Sequence, residues 1–305
     1  MNRAQYLYYL TILRRRRRQQ QQRRRRQQQQ RRRRQEQQRR QRKAERHFNR
    51  LPIRNRYALL TGINYYDTPY GLNGCINDVD NMREFLQTRN FQSQNIKSLT
   101  DAQTNNESEN KPTKHIILEE LKKMLKRGGK NDLIFFHFSG HGGQLRDQQV
   151  GKGSRDEKDG LDECIYSHTL ESIRDDELKA VIRQYLKSQT ILVCLMDCCN
   201  SGTSLDLRFN CKDRNRIVAD DRQAPTRGNV FMISGCKDPQ TSADAWLNGK
   251  FSGAMTTAFL SSYQPNKSWL FLLSEMRQWL KLRKFTQIPQ WSSGRRQRIQ
   301  IKNKI

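Results

Sequence analysis

Two strand-like runs end on side chains that can make and break bonds. Ile191-Leu192-Val193-Cys194-Leu195-Met196 stops on Asp197-Cys198-Cys199-Asn200-Ser201-Gly202, and Leu133-Ile134-Phe135-Phe136-His137-Phe138 stops on Ser139-Gly140-His141-Gly142-Gly143. A thiol is a strong nucleophile only as thiolate, which needs a nearby base or cation, and an imidazole supplies both. If the two strands are neighbours in one sheet, one end delivers the thiol and the other the base. Residues two apart on an extended chain face the same side. Asp197 and Cys199 then share a face while Cys198 turns away with Met196, and Ser139 and His141 look into the site together. The natural pair is His141 with Cys199. Gly142 and Ser201-Gly202 leave room for a carbonyl group. Its developing oxyanion could be held by the backbone N–H groups of Gly142 and Cys199, roughly 3–4 kcal/mol for each donor. A lone buried Cys or His is usually plain packing, so the argument rests on two strand ends with matched glycine turns.

The elements that must position these groups alternate in kind. Tyr57 to Ile63 reads as a strand, followed by a helix opening at Gly74-Cys75-Ile76-Asn77-Asp78, with Val79, Met82, Phe85 and Leu86 at helical spacing and Asn77 or Asp78 as N-cap. Ile96 to Leu99 predicts a short strand. Thr113 caps a helix with Ile117, Leu121, Met124 and Leu125 on one face, and Gly128-Gly129 ends it. Asp162 to Ser167 reads as a strand, and Asp175-Asp176 begin a helix carrying Leu178, Val181, Ile182, Tyr185 and Leu186. A basic, aliphatic-poor connector follows the cysteine strand. Strand Asn229 to Ser234, helices Gly253 to Tyr263 and Leu270 to Leu282, and extended Gln287 to Trp291 complete the pattern. Strands alternating with amphipathic helices predict a mainly parallel sheet covered on both faces, with the working groups at the strands' carboxyl ends.

The first fifty residues are of another kind. They hold 20 of the chain's 58 Lys and Arg against two acids, Glu36 and Glu45, and Arg runs alternate with Gln runs. Between Arg14 and Arg42 there is no apolar side chain to offset the entropy of ordering, which predicts a solvated, disordered arm. Such an arm would bind nucleic acid or acidic surfaces non-specifically and salt-dependently, or is a low-complexity expansion without a partner. No secretory signal or bilayer-spanning run is visible. The seven cysteines form no C-x-x-C pair and read as reduced intracellular thiols. A monomer in the cytoplasm or nucleus, without a membrane partner, is expected.

His137-Phe138-Ser139-Gly140-His141-Gly142 and Asp197-Cys198-Cys199-Asn200-Ser201-Gly202 resemble the two signature blocks of the metacaspases, caspase-like cysteine peptidases of plants, fungi and protists. Further blocks agree, among them Ala58 to Tyr66, Leu72 to Val79, Asp159 to Glu163, Met232 to Asp238, Gln240 to Ala245 and Gln287 to Gln290, so the likeness runs from about Tyr57 to Ser293. The short connector and low-complexity arm are similar to the type I arrangement. The resemblance implies a caspase-like α/β/α fold with a mainly parallel central sheet, hydrolysis of protein or peptide substrates after Arg or Lys by a Cys199/His141 dyad, and activation by calcium. It implies a specificity pocket of Cys75, Asp78, Ser139 and Asp197, and calcium acids at Asp156, Asp175, Asp176 and Asp206. The bland alternatives are a helix cap for Asp78 and dipole complementation for Asp175-Asp176. Asn200 stands where the family usually has His; beside the nucleophile and not at it, it is expected to alter little.

The expected division is an arm over residues 1–50 and a peptidase domain over 51–305. The domain splits into a large-subunit-like part (51–207), the basic connector (208–228) and a small-subunit-like part (229–305). Self-cleavage in the connector is expected after Arg208, Lys212, Arg214, Arg216, Arg222 or Arg227, where exposed chain would meet a pocket that wants a cation. The alternative from another class is a catalytically silent scaffold, or a nucleic-acid-associated protein, that works through the arm.

Overall fold

The computed structural model describes residues 3–66, 68–102, 110–146, 161–198, 205, 207–211, 217–220, 223–235, 244–247, 250–296 and 302–305; for 3–19, 24–25, 41, 161 and 244–247 it describes the backbone alone. The chain divides into two compact units, Met1–Arg50 and Leu51–Ile305.

The first unit corrects an expectation. The arm is one helix, α1 (Arg3–Arg50), where the sequence predicted disorder. Lack of a core removes tertiary packing, but it does not remove local preference: residues 3–50 contain no Gly or Pro, and Arg and Gln rank near the top of the helix formers. Glu36 and Arg40 add an i,i+4 ion pair at 2.6 Å. Its side chains from Arg26 to Arg40 are all exposed.

The second unit is built on an eight-stranded sheet. Its strands are β1 (Arg56–Gly62), β2 (Ile96–Thr100), β3 (Leu133–Ser139), β7 (Ile191–Asp197), β8 (Phe209–Cys211), β9 (Val218–Ala219), β10 (Asn229–Ser234) and β13 (Gln290–Ser293), in the order β2-β1-β3-β7-β10-β13-β8-β9. The first five run parallel, and β13, β8 and β9 add antiparallel at one side. β3 and β7 are buried at every position, which is why both read as unbroken apolar runs and not as alternating ones.

Helices α3 (Lys114–Arg127) and α4 (Asp175–Tyr185) cover one face, where Ile117, Leu121, Leu178 and Ile182 join Ile134, Phe136, Leu192, Cys194 and Met196 in one cluster. Each such side chain contributes about 1.5–3 kcal/mol on burial. The other face carries α2 (Cys75–Gln87), α5 (Ala254–Ser262) and α6 (Trp269–Leu282): Phe135 meets Phe259 of α5, and Phe231 stacks on Trp269 of α6. A small antiparallel sheet, β4 (Gly142–Arg146), β5 (Leu161–Tyr166) and β6 (Ser172–Arg174), and a hairpin, β11 (Asp244–Leu247) with β12 (Lys250–Gly253), stand apart from the main sheet. Among the described residues no helix is long and apolar enough to cross a membrane.

Thr113 caps α3 by accepting the Ile116 N–H at 3.2 Å. The cap of α2 differs from the one expected. Asn77 and Asp78 lie inside the first turn, and Asn64 reaches across from the loop after β1 to accept the N–H groups of Cys75 (3.0 Å) and Ile76 (3.4 Å). The connector also holds more structure than its composition suggested. Phe209 and Cys211 point inward from β8, which pairs with the edge that β13 would otherwise leave open.

Candidate active site

The register brings the two strand ends together: Ser139 of β3 lies opposite Asp197 of β7. Beyond β3, the Gly140 N–H donates to the Asp197 carbonyl at 3.3 Å, carrying the ladder one step further. A Cβ at Gly140 would sit 2.9 Å from the Tyr65 hydroxyl oxygen, so glycine is what allows Tyr65 in. Tyr65 is fully buried in a left-handed backbone conformation (φ 52°). Its hydroxyl accepts the His141 backbone N–H at 2.9 Å and donates to the Tyr166 carbonyl at 2.9 Å, and its ring lies 4.5 Å from the imidazole. Burial pushes the Tyr65 phenol well above its ordinary range, so it stays a donor.

On the other side, His141 Nε2 lies 2.7 Å from the Tyr70 carbonyl oxygen. A carbonyl can only accept, so Nε2 carries a proton, and in the neutral ring the lone pair is therefore on Nδ1. The Tyr166 N–H donates to the His141 carbonyl at 3.1 Å, which makes Gly142 and Ile165 a non-hydrogen-bonded pair. The Gly142 N–H thus faces away from β5. Neither tyrosine was among the residues the sequence singled out. A backbone carbonyl leaves no trace in residue type, and Tyr65 reads as one more aromatic after a strand.

Cys199 lies outside the described residues. Cys198 is 4% exposed and belongs to the apolar cluster with Met196 and Leu205, on the α3/α4 face.

Beneath the strand ends, two carboxylates converge on α5. Asp78 of α2 is wholly buried; it accepts the Ser139 hydroxyl at 2.7 Å and the Gly253 N–H on both oxygens, at 2.9 and 3.0 Å. Asp197 is 1% exposed and takes the N–H and hydroxyl of Thr256 on Oδ2, at 2.7 and 2.8 Å. Thr256 lies in the first turn of α5, whose positive end faces the carboxylate. A side chain at Gly253 would overlap Oδ2 of both acids. Two more contacts fasten β12 along α2: the Asn77 amide to the Phe251 carbonyl (2.8 Å) and Lys250 to Asn81 (2.6 Å). Cys75, 3% exposed, opens α2 and joins the cluster that contains Tyr65.

The geometry is one of a strand-end imidazole above a buried anionic floor, and comparison gives it a lineage. A family model described as the metacaspase peptidase C14 domain matches residues 56–208. Metacaspase-1 of Candida albicans is 36% identical over 291 residues, covering 78% of this chain and 64% of that protein. Metacaspase-1 of Meyerozyma guilliermondii is 34% identical over 298 residues, covering 80% and 71%. The chain belongs to the metacaspase family. Its metacaspase fold is caspase-like: a crystal structure of caspase-1 from Spodoptera frugiperda superposes with a TM-score of 0.50 at 11% identity, over 81% of this chain and 89% of that one. A Geobacter sulfurreducens protein of known structure gives 0.58 at 23%, over 82% and 98%. This metacaspase chain spans under two thirds of the length of the Candida relative.

Of the four expected calcium acids, Asp156 and Asp206 lie outside the described residues. Asp175 and Asp176 open α4; Asp175 is 3% exposed, and Asp176 is held by Lys179 at 2.9 Å. Their chemistry, hard oxygen donors at the end of a strand-to-helix turn, fits calcium in kind. They also serve as first-turn acids of α4, the bland role foreseen for them. Among the self-cleavage candidates, Lys212, Arg214, Arg216 and Arg222 lie outside the described residues. Arg208 is partly buried, with its guanidinium on the Gln223 carbonyl at 3.1 Å and its following bond entering β8; that placement removes it from the exposed chain in which it was expected. Arg227 is exposed, with its carbonyl accepting from Arg295 at 3.0 Å.

Proposed function

We propose that this chain is a cysteine endopeptidase that cleaves after Arg or Lys and depends on calcium. The observation that carries the reading is the pair of buried carboxylates, Asp197 at the end of β7 and Asp78 of α2 bonded to Ser139 at the end of β3, close to His141, in a family of cysteine peptidases. His141 Nδ1 removes the Cys199 proton, and the thiolate attacks the substrate carbonyl carbon. The oxyanion rests on the N–H groups of Gly142 and Cys199. The imidazolium then returns the proton to the leaving amine as the C–N bond breaks, and water hydrolyses the thioester with His141 again as base. The substrate cation enters above Asp78 and Asp197, with Cys75 and Ser139 lining its walls.

Calcium would be held by Asp156, Asp175, Asp176 and Asp206, with Lys179 releasing Asp176. When bound, the ion supplies charge compensation and loop order close to β5. A site drawn from several loops is weak and adaptable, so millimolar concentrations are expected. A positional-scanning peptide library read with and without calcium tests both parts. Turnover that strongly favours peptides with Arg or Lys before the scissile bond over neutral ones, and is lost in excess chelator, is the expected result. Cleavage after Asp, or full turnover in chelator, would overturn the corresponding part.

α1 supports a second role, binding of nucleic acid through its phosphates, within the cytoplasm or nucleus. Its exposed stretch from Arg26 to Arg40 carries seven side-chain cations and one acid, with no apolar group to insert into a membrane or stack on bases. Fluorescence anisotropy on a random DNA duplex should show an affinity that falls steeply and linearly on a log–log plot against salt, by roughly 0.9 per phosphate neutralised. Removing residues 1–50 should abolish it. Binding unaffected by salt or by that deletion would remove this role.

A further inference from the structure

His137 is a buried imidazole close to the site that the reaction does not use. It lies on β3 two residues before Ser139, on the same face, and is fully buried. Its Nε2 is 3.0 Å from the Thr256 hydroxyl oxygen. That hydroxyl has one proton, which it gives to Asp197 Oδ2 at 2.8 Å, so towards His137 it can only accept. His137 is thus the Nε2–H tautomer, and its Nδ1 finds no hydrogen-bond partner among the described residues. Burial pushes its pKa down to about 3, which keeps the ring neutral throughout the physiological range. The result is a directed chain, His137 N–H to Thr256 O–H to Asp197 carboxylate, running from the core into the pocket floor.

We propose that His137 and Thr256 are positioning residues for the cation pocket: through this chain they hold the Asp197 carboxylate in the orientation that receives a substrate guanidinium. The inference rests on the cation-pocket reading above. Aligned donors polarise one another and fix the rotamer of the acid. A neutral relay does this without placing a second positive charge beside the acid, which would cancel the attraction for the substrate. Asp78 is held in the same way by a hydroxyl and a backbone N–H, from Ser139 and Gly253.

The test separates binding from hydrolysis. Agmatine, a bare guanidinium on an alkyl chain, is titrated calorimetrically into Cys199→Ala protein, alone or combined with Thr256→Val, Thr256→Ser, His137→Leu or His137→Gln. In the Cys199 background, kcat/KM is measured for paired peptides with arginine or the neutral isostere citrulline before the scissile bond. Thr256→Val and His137→Leu should weaken agmatine about tenfold, the size expected when one charge-assisted hydrogen bond is lost. They should lower kcat/KM for arginine by a similar factor, chiefly through KM, and leave citrulline unchanged. Thr256→Ser and His137→Gln, which keep a hydroxyl and an N–H donor, should stay within about twofold of the parent. A purely structural role would lower both peptides together and follow the melting temperature. Unchanged agmatine affinity in Thr256→Val, or a parent protein that does not bind agmatine, would overturn the relay. A protein that binds agmatine through the relay yet hydrolyses neither peptide would overturn the peptidase reading and leave the relay standing.

Discussion

Replacing Cys199 with alanine should reduce peptide hydrolysis by roughly 10⁵-fold or more, to the background set by binding and the oxyanion donors, and His141→Ala should be as damaging because nucleophile and base act as a unit. Cys198→Ala is the informative contrast. Its thiol is buried in the cluster with Met196, away from the face that carries Ser139 and Asp197. Losing it leaves a small cavity and costs about 1 kcal/mol, read as a few degrees in the melting curve, while turnover stays within about twofold. Active-site titration with an arginyl chloromethyl ketone checks the assignment. Labelling lost in Cys198→Ala and kept in Cys199→Ala would mean that the thiols have been exchanged.

The second large effect concerns the pocket floor. Opposite unit charges about 4 Å apart gain roughly 4 kcal/mol at an effective dielectric near 20, so Asp78→Asn or Asp197→Asn should each lower kcat/KM for arginine peptides by about 10²–10³-fold. Arginine should exceed lysine modestly, because its planar fork can engage two carboxylates at once. Alkylation of Cys199 by iodoacetamide should be spared in both variants. Two buried acids so close would repel each other, yet each is met by backbone N–H groups, Gly253 on Asp78 and Thr256 on Asp197. These donors offset the repulsion before any substrate arrives. Gly253→Ala should therefore damage the pocket as severely as removal of an acid, since its methyl group would displace both carboxylates. Arginine selectivity unchanged in all three variants would show that the cation is read elsewhere.

Much of this was legible in the sequence because it rests on local pattern. The unbroken apolar runs of β3 and β7 announced buried parallel strands, and pleating set Cys198 apart from Asp197 before any contact was known. What escaped depends on contacts between distant segments. Asn64 caps α2 from the loop before it, so Asp78 is released from the capping role that its place in the chain suggested. The Tyr70 carbonyl has no signature in residue type. β8 formed in a stretch poor in aliphatic residues because β13 presents an edge to pair with, a tertiary cause. In α1 the argument from missing core spoke about packing, while backbone propensity decided the local structure.

The pocket also has a history in time. Asp78, His141 and Asp197 come from the earlier part of the chain, but the donors that hold the two acids, Gly253 and Thr256, come from α5 and the residue before it. A ribosome adding about 5–20 residues per second delivers nucleophile and base several seconds before that helix emerges. On the cation-pocket reading proposed above, Cys199 and His141 are therefore made before the donors that hold the two acids, and recognition of a substrate cation is the last part of the site to be completed.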